Sequence, residues 1–218
     1  MTISAVIFDL DGVLTSTDRF HIEAWQTTCD KWGIPFCASL RDKLRGVGRK
    51  ECALLILNEA GITLSEKELK RFTDEKNRLF ISLLDSAGED DVLPGVMKLL
   101  TKLKSQYLLA VASSSRNAKA ILENTGLLSF FDVVIDGTMI TRSKPDPEVF
   151  QKAAEAINKP YHECLVVEDS MAGVDAALTL GCPVAGVGSA CMASEVTYAL
   201  IETRELGEIF LKDNQEAR

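Results

Sequence analysis

An α/β fold, with an open parallel sheet and a small α-helical module inserted after its first strand, is predicted by three features of the sequence. Five short apolar runs, at residues 3–8, 108–112, 133–135, 164–167 and 184–187, are nearly continuous in Val, Ile, Leu and Ala. Such runs suit strands of a parallel sheet covered on both faces. The later runs alternate with helical patterns, the signature of a doubly wound, Rossmann-like sheet. Residues from about 18 to 87 break that alternation, showing no convincing strand and only amphipathic helical patterns.

The first run ends in VIFDLDGVL, where Asp9 and Asp11 flank a leucine and Gly12 follows. The inserted stretch then supplies helical patterns at residues 21–32 (HIEAWQTTCDKW), 49–60 (RKECALLILNEA) and 66–84, the last opened by Ser65 and Glu68 in capping-box spacing. Its exits are residues 15–17 and the acidic, turn-rich GEDDVLPG at 88–95. Two crossings of this kind make a natural hinge. The expected division is a core of residues 1–15 and 92–218 and a helical module of residues 16–91. In the core, RNAKAILENTG at 116–126 puts Ala118, Ile121, Leu122 and Thr125 on one stripe and stops at a glycine. Residues 147–158 begin with proline, and residues 170–181 run from a capping Ser170 to Gly181.

Composition narrows the class of protein. With 46% hydrophobic and 26% charged residues, the 218-residue chain has the apolar content of a globular core. A net charge of −8 without any basic tract argues against nucleic acid as a partner. No apolar run reaches the roughly 18 residues of a membrane span, so no membrane partner is expected, and no leader peptide is visible. Cys29, Cys37, Cys52, Cys164, Cys182 and Cys191 are scattered without a CxxC pair, which suits free thiols in a reducing, cytoplasmic compartment.

Ligands of an open parallel sheet bind beyond the carboxyl ends of its strands, and that edge collects reactive groups here. Asp9 and Asp11 follow the first strand, and Ser113 ends the second in AVASSSRN. Lys144 follows the third in SKPDP, and Glu168 and Asp169 close the fourth in LVVEDS. Carboxylates so grouped require a hard cation, and Mg²⁺ is the common one for oxygen ligands. A carboxylate can also attack phosphorus and form an acyl phosphate. Lys144, Ser113 and the backbone N–H groups of loop 9–12 suit phosphoryl oxygens, and Asp11 suits a general acid and base.

The motifs FDLDGVL, VASSS, SKPDP and VVEDS, in that order, resemble those of the haloacid dehalogenase superfamily of phosphotransferases over nearly the whole chain. The resemblance implies Asp9 as nucleophile and Asp11 as acid/base. It implies Mg²⁺ held by the Asp9 side chain, the Asp11 backbone carbonyl, Glu168 and Asp169. It makes the insertion a cap that closes over substrate, and the cap resembles that of the β-phosphoglucomutase subfamily. TDRFHIEAW carries His21 and Trp25, and LRGVGRKE carries Arg45, Gly46, Val47 and Arg49. DEKN carries Lys76 and Asn77, while SSSRN sets Ser115, Arg116 and Asn117 beside Ser113. In that subfamily the histidine links cap closure to the acid/base. A mutase needs a second phosphate site for its sugar bisphosphate, and Arg49 with Ser115, Arg116 and Asn117 suits one. The implied activity interconverts β-D-glucose 1-phosphate and glucose 6-phosphate through β-glucose 1,6-bisphosphate, in a monomer whose partner is a small sugar phosphate. A sugar-phosphate phosphatase is the alternative. A module that only binds phosphate or metal has no use for Asp11 beside the nucleophile.

Plainer readings stand beside the cap assignments. Arg49 also suits a solvated first turn, Arg116 and Asn117 a helix start, Lys76 a charged helix face, and Trp25 the packing of the module. Two positions depart from the pattern. Ser16 stands where the motif usually has aspartate, and Arg45 where the subfamily usually has lysine; charge survives at 45 while shape changes.

Overall fold

The computed structural model describes residues 2–37 and 39–210. Six strands form one sheet: β1 (Ala5–Phe8), β2 (Leu108–Ala112), β3 (Val133–Ile135), β4 (Cys164–Glu168), β5 (Val184–Val187) and β6 (Tyr198–Leu200). All pair in parallel, in the order β3-β2-β1-β4-β5-β6. Ala5 is in register with Leu108 on one side and Cys164 on the other. The strand order reverses direction beside β1, and the crevice at such a point is where these sheets bind ligands.

Between β1 and β2 the chain forms α1 (Asp18–Trp32), α2 (Leu40–Lys43), α3 (Arg49–Glu59) and α4 (Glu66–Leu84), then α5 (Val96–Leu103). The later crossovers are α6 (Ala118–Asn124), α7 (Glu148–Ile157) and α8 (Met171–Leu180). Side chains of β1 alternate between two apolar layers. Val6 and Phe8 pack with Leu99, Leu100, Ile121 and Leu122, while Ala5 and Ile7 pack with Val149, Phe150, Val174 and Ala177. Each fully buried Val, Ile or Phe contributes about 1.5–3 kcal/mol, so β1 is held from both faces.

The inserted helices have an apolar cluster of their own, built on Trp25, Cys29, Leu44, Ile56 and Phe72. Phe20, Ala24, Phe80 and Leu84, at the feet of α1 and α4, belong instead to the cluster of the sheet. The two chain crossings run side by side. Ser16 N–H donates to the Asp91 carbonyl (2.8 Å) and Leu93 N–H to the Leu14 carbonyl (2.9 Å). The Asp91 carboxylate accepts from Arg19 (2.6 Å) and from Gly88 N–H (3.1 Å). A carboxylate is therefore present between the two crossings although Ser16 carries none.

Several elements differ from expectation for identifiable reasons. β6 is a sixth strand of three residues, too short to register as an apolar run. α5 adds an amphipathic helix with Val96, Leu99, Leu100 and Leu103 inward. α6 starts at Ala118, so Arg116 and Asn117 form the turn before it. α3 is not amphipathic: it buries Ala53, Ile56 and Leu57 but exposes Leu54 and Leu55. The Ser65–Glu68 capping box forms, with Ser65 Oγ accepting from Glu68 N–H and Glu68 accepting from Ser65 N–H. Ser170 Oγ caps α8 through Gly173 N–H (3.1 Å). Among the described residues no helix is long and apolar enough to cross a membrane, and all six cysteines are free.

Candidate active site

The ladder between β1 and β4 continues one residue past β1, through Asp9 N–H to the Val167 carbonyl (2.9 Å). This fixes the Asp9 side chain at the sheet edge. The chain then turns at Gly12, whose φ of +85° favours glycine, and a Cβ there would stand 2.1 Å from Asp169 Oδ2. Glu168 is pinned at both oxygens. Its Oε1 accepts from Asp169 N–H (3.0 Å), Ser170 N–H (3.0 Å) and Ser170 Oγ (2.8 Å), and its Oε2 from Lys144 Nζ (2.7 Å). The same ammonium donates to Asp9 Oδ1 at 2.5 Å. Lys144 is therefore engaged with two carboxylates rather than standing free for phosphate.

One oxygen each from Asp9, Glu168 and Asp169 lies within 4.8 Å of the others. Burial pushes Asp9 up to about 7, with Lys144 pulling it down and Glu168 adding to the rise. Burial, then the charges of Glu168 and Asp9, push Asp169 up to about 9. Burial alone would lower Lys144, but Asp9 and Glu168 more than reverse this and hold it above its ordinary value. A buried all-oxygen set in which burial disfavours the charged forms of Asp9 and Asp169 fits a hard divalent cation such as Mg²⁺.

Asp11 points away from that cluster. Thr17 Oγ1 donates to its Oδ1 at 2.5 Å, and His21 Nε2 stands 3.7 Å from its Oδ2. His21 Nδ1 lies 2.7 Å from Lys76 Nζ, and its ring stacks on Phe80 with centroids 3.9 Å apart. Burial raises Asp11 to about 6 against the opposing Thr17 hydrogen bond. Burial lowers Lys76 to about 7 and, with the Lys76 charge, holds His21 well below its usual value. A neutral imidazole that accepts from Lys76 at Nδ1 carries its proton on Nε2, facing Asp11. Lys76 is thus buried rather than on a solvated face.

A cavity of about 580 Å³ separates this edge from the helical module. Asp9, Asp11, His21, Trp25, Arg45, Gly46, Arg49, Lys76, Ser113, Ser115, Arg116 and Asn117 all line it. Lys144, Glu168 and Asp169 form the layer behind. Ser113 Oγ accepts from Ser115 N–H (3.1 Å), and Asn117 Nδ2 donates across to Asn77 Oδ1 (3.0 Å). Arg49 opens α3 half-buried, and burial and then the nearby Arg116 charge lower its pKa. Among the described residues neither arginine has a carboxylate within ion-pair reach. Trp25 packs against Phe72 and under Lys76 as part of the module's interior, while one edge reaches the cavity. Arg45 is paired with Asp18 and Asp169.

Thr17 and Ser114 were not singled out by sequence, which marks Ser170 only as a helix cap. Thr17 binds Asp11, Ser114 Oγ donates to the Gly46 carbonyl (2.8 Å), and Ser170 steadies Glu168. Each is a hydroxyl in or near a recognised motif, and no periodicity tells which hydroxyl of TST or SSS faces inward.

Three clustered buried carboxylates, a buried lysine bonded to two of them, and a further carboxylate beside a histidine meet at one sheet edge, a set suited to phosphoryl transfer. The sequence profile of haloacid dehalogenase-like hydrolases matches residues 3–181, and the chain belongs to that family, as an enzyme of phosphoryl transfer. It is 35% identical over 187 residues to β-phosphoglucomutase of Bacillus subtilis, covering 84% of this chain and 83% of that one. It is 34% identical over 181 residues to a phosphorylated carbohydrates phosphatase of Thermotoga maritima, covering 81% of each. The crystal structure of β-phosphoglucomutase from Clostridium difficile superimposes with a TM-score of 0.91 at 31% identity, covering 100% of both chains.

Proposed function

We propose that the protein is a Mg²⁺-dependent β-phosphoglucomutase, interconverting β-D-glucose 1-phosphate and glucose 6-phosphate through β-glucose 1,6-bisphosphate. The observation that carries this reading is the pair Arg49 and Arg116, two neighbouring cations on the cavity wall that form no ion pair within 4 Å among the described residues, with Asp74 acting on Arg49 only from farther off. A bisphosphate needs such a site for its non-reacting end. A phosphatase for a monophosphate does not.

Phospho-Asp9 gives its phosphoryl group to the free hydroxyl of glucose 1-phosphate, and Asp11 takes the hydroxyl proton. The bond from Asp9 to phosphorus breaks as the sugar O–P bond forms, which leaves a carboxylate and the bisphosphate. After the bisphosphate turns round, Asp9 attacks the other phosphorus and Asp11 returns its proton to the leaving sugar oxygen. Ser113 holds phosphoryl oxygens, and Lys144, bonded to Asp9 and Glu168, offsets negative charge beside the nucleophile. Arg49 and Arg116, with Ser115 and Asn117, hold the phosphate that does not react. His21, braced by Lys76, keeps Asp11 aligned while residues 16–91 close and exclude water. The Asp9, Glu168 and Asp169 side chains and the Asp11 carbonyl would hold Mg²⁺, which supplies charge neutralisation at the transferring group.

The phosphatase reading draws support from the Thermotoga maritima relative. Phosphorus NMR of the protein with β-glucose 1-phosphate, Mg²⁺ and a bisphosphate primer separates the two. Glucose 6-phosphate is the expected product, and inorganic phosphate as the sole product overturns the mutase.

A further inference from the structure

We propose that Arg45 is a positioning residue through which closure of the helical module and occupancy of the Mg²⁺ site compete for one carboxylate, that of Asp169. The proposal rests on the Mg²⁺ site described above. Arg45 leaves the loop between α2 and α3. Its Nη2 is 3.1 Å from Asp18 Oδ2, on the first residue of α1, and its Nη1 is 3.2 Å from Asp169 Oδ2, on the sheet edge. The loop is pressed onto that edge by backbone contacts. Gly46 has φ +70°, and a Cβ there would stand 2.6 Å from Ser170 Oγ. Its carbonyl accepts from Ser114 Oγ at 2.8 Å.

Each carboxylate of the cluster therefore has a cation supplied by the protein. Lys144 serves Asp9 and Glu168, and Arg45 serves Asp169. The two cations differ in origin. Lys144 follows β3 on the sheet side and stays there wherever the module moves. Arg45 belongs to the module and reaches Asp169 only when the module is closed. A divalent ion on Asp169 brings two positive charges beside the guanidinium, and like charges repel. Linkage makes this reciprocal, so a closed module weakens the metal and the metal loosens the module by the same factor. A phosphate in the cavity adds the negative charge that lets both cations stay. With metal at the sheet edge, the module then closes on a phosphate-bearing site and not on an empty one. The fork of arginine suits this role, since it bridges Asp18 and Asp169 at once, whereas a lysine ammonium is a single point.

The test measures Mg²⁺ affinity by titration calorimetry and the radius of gyration by small-angle X-ray scattering, with and without Mg²⁺. Wild type, Arg45→Ala, Arg45→Lys and Asp18→Asn are compared. Arg45→Ala should bind Mg²⁺ roughly fivefold more tightly, the scale of one partly exposed ion pair. Mg²⁺ should increase the radius of wild type but not of Arg45→Ala, and inorganic phosphate should reverse the increase. Asp18→Asn and Arg45→Lys should fall between. Equal affinity in wild type and Arg45→Ala, or an equal response of the radius, overturns the proposal. Asp169→Asn serves as control: undiminished Mg²⁺ binding there would mean the metal site itself is misassigned, and the competition falls with it.

Discussion

At the sheet edge, Asp9, Ser113 and Glu168 sit at the ends of paired strands and are at most 5% exposed. Across the cavity, His21, Arg45 and Arg49 stand on a loop or in first helical turns, half-buried or exposed. The edge groups already have hydrogen-bond or ion-pair partners, and the backbone ladder sets their spacing. Arg49 and the nearby Arg116 form no ion pair within 4 Å among the described residues, and Asp74 acts on Arg49 only from a distance. A site whose groups are satisfied before ligand arrives is preorganised for one reaction. Cations without partners contribute only once an anion comes, so they decide what is held. Preorganised groups thus gather at the strand ends, whereas the groups open to an anion come from the module's Arg49 and from Arg116 in the loop after β2.

The largest expected effect falls on the edge. Asp9→Asn should abolish both turnover and phosphoenzyme formation, because an amide is a poor nucleophile. Radiolabelled phosphoryl transfer to the variant at wild-type level would break the division.

Asp11→Ala should lower kcat by roughly 10²–10⁴ while leaving Mg²⁺ affinity unchanged, since its side chain points away from the cluster. Loss of metal binding in that variant would refute this division of roles. The pH profile sharpens the same point. Asp11 is raised to about 6 and must be ionised to take a proton. The kcat/KM of phosphoenzyme for glucose 1-phosphate should therefore fall as pH drops below about 6. Thr17→Val removes the hydrogen bond that opposes this rise, so the limb should move upward by about one unit. A limb that stays in place would dissociate Thr17 from Asp11.

Arg49→Ala tests the other side. Loss of a hydrogen bond to a charged group contributes about 1.5–3 kcal/mol, roughly 10- to 150-fold in kcat/KM for glucose 1-phosphate. The loss should be much smaller on p-nitrophenyl phosphate, which carries only the transferring group, and Arg49→Lys should recover part of it. Equal losses on both substrates would point to the fold of the module instead.

The smallest effect is expected at Ser65, which does not line the cavity. Ser65→Ala removes the cap of α4 and should destabilise by about 1 kcal/mol, lowering Tm by about 2–4 °C with kinetics unchanged. A kinetic change would show that the module's helices are less independent of the edge than their packing suggests.

The same division explains what the sequence made legible. The edge was readable because strands impose order: an apolar run predicts where a chain emerges, and the next residue is then placed. Asp9, Ser113 and Glu168 could be assembled on that basis. Residues meeting across the cavity follow no such rule. The Thr17–Asp11 bond, the Ser114–Gly46 contact and the pairing of Arg45 with Asp18 and Asp169 depend on how the helices lie over the sheet. Periodicity within one helix carries no information on that. β6 escaped for a different reason, since three residues on an outer strand need little apolar content.

The register of β1 also bears on synthesis. β1 leaves the ribosome first, yet its partners begin at Leu108 and Cys164. At about 5–20 residues per second, the central strand waits on the order of five seconds or more for its first neighbour. Unpaired apolar strands are prone to join one another meanwhile, and charges at their ends discourage it. Asp9 and Asp11 close this run, so the proposed nucleophile and acid/base also set like charges at the end of the strand that waits longest for a partner.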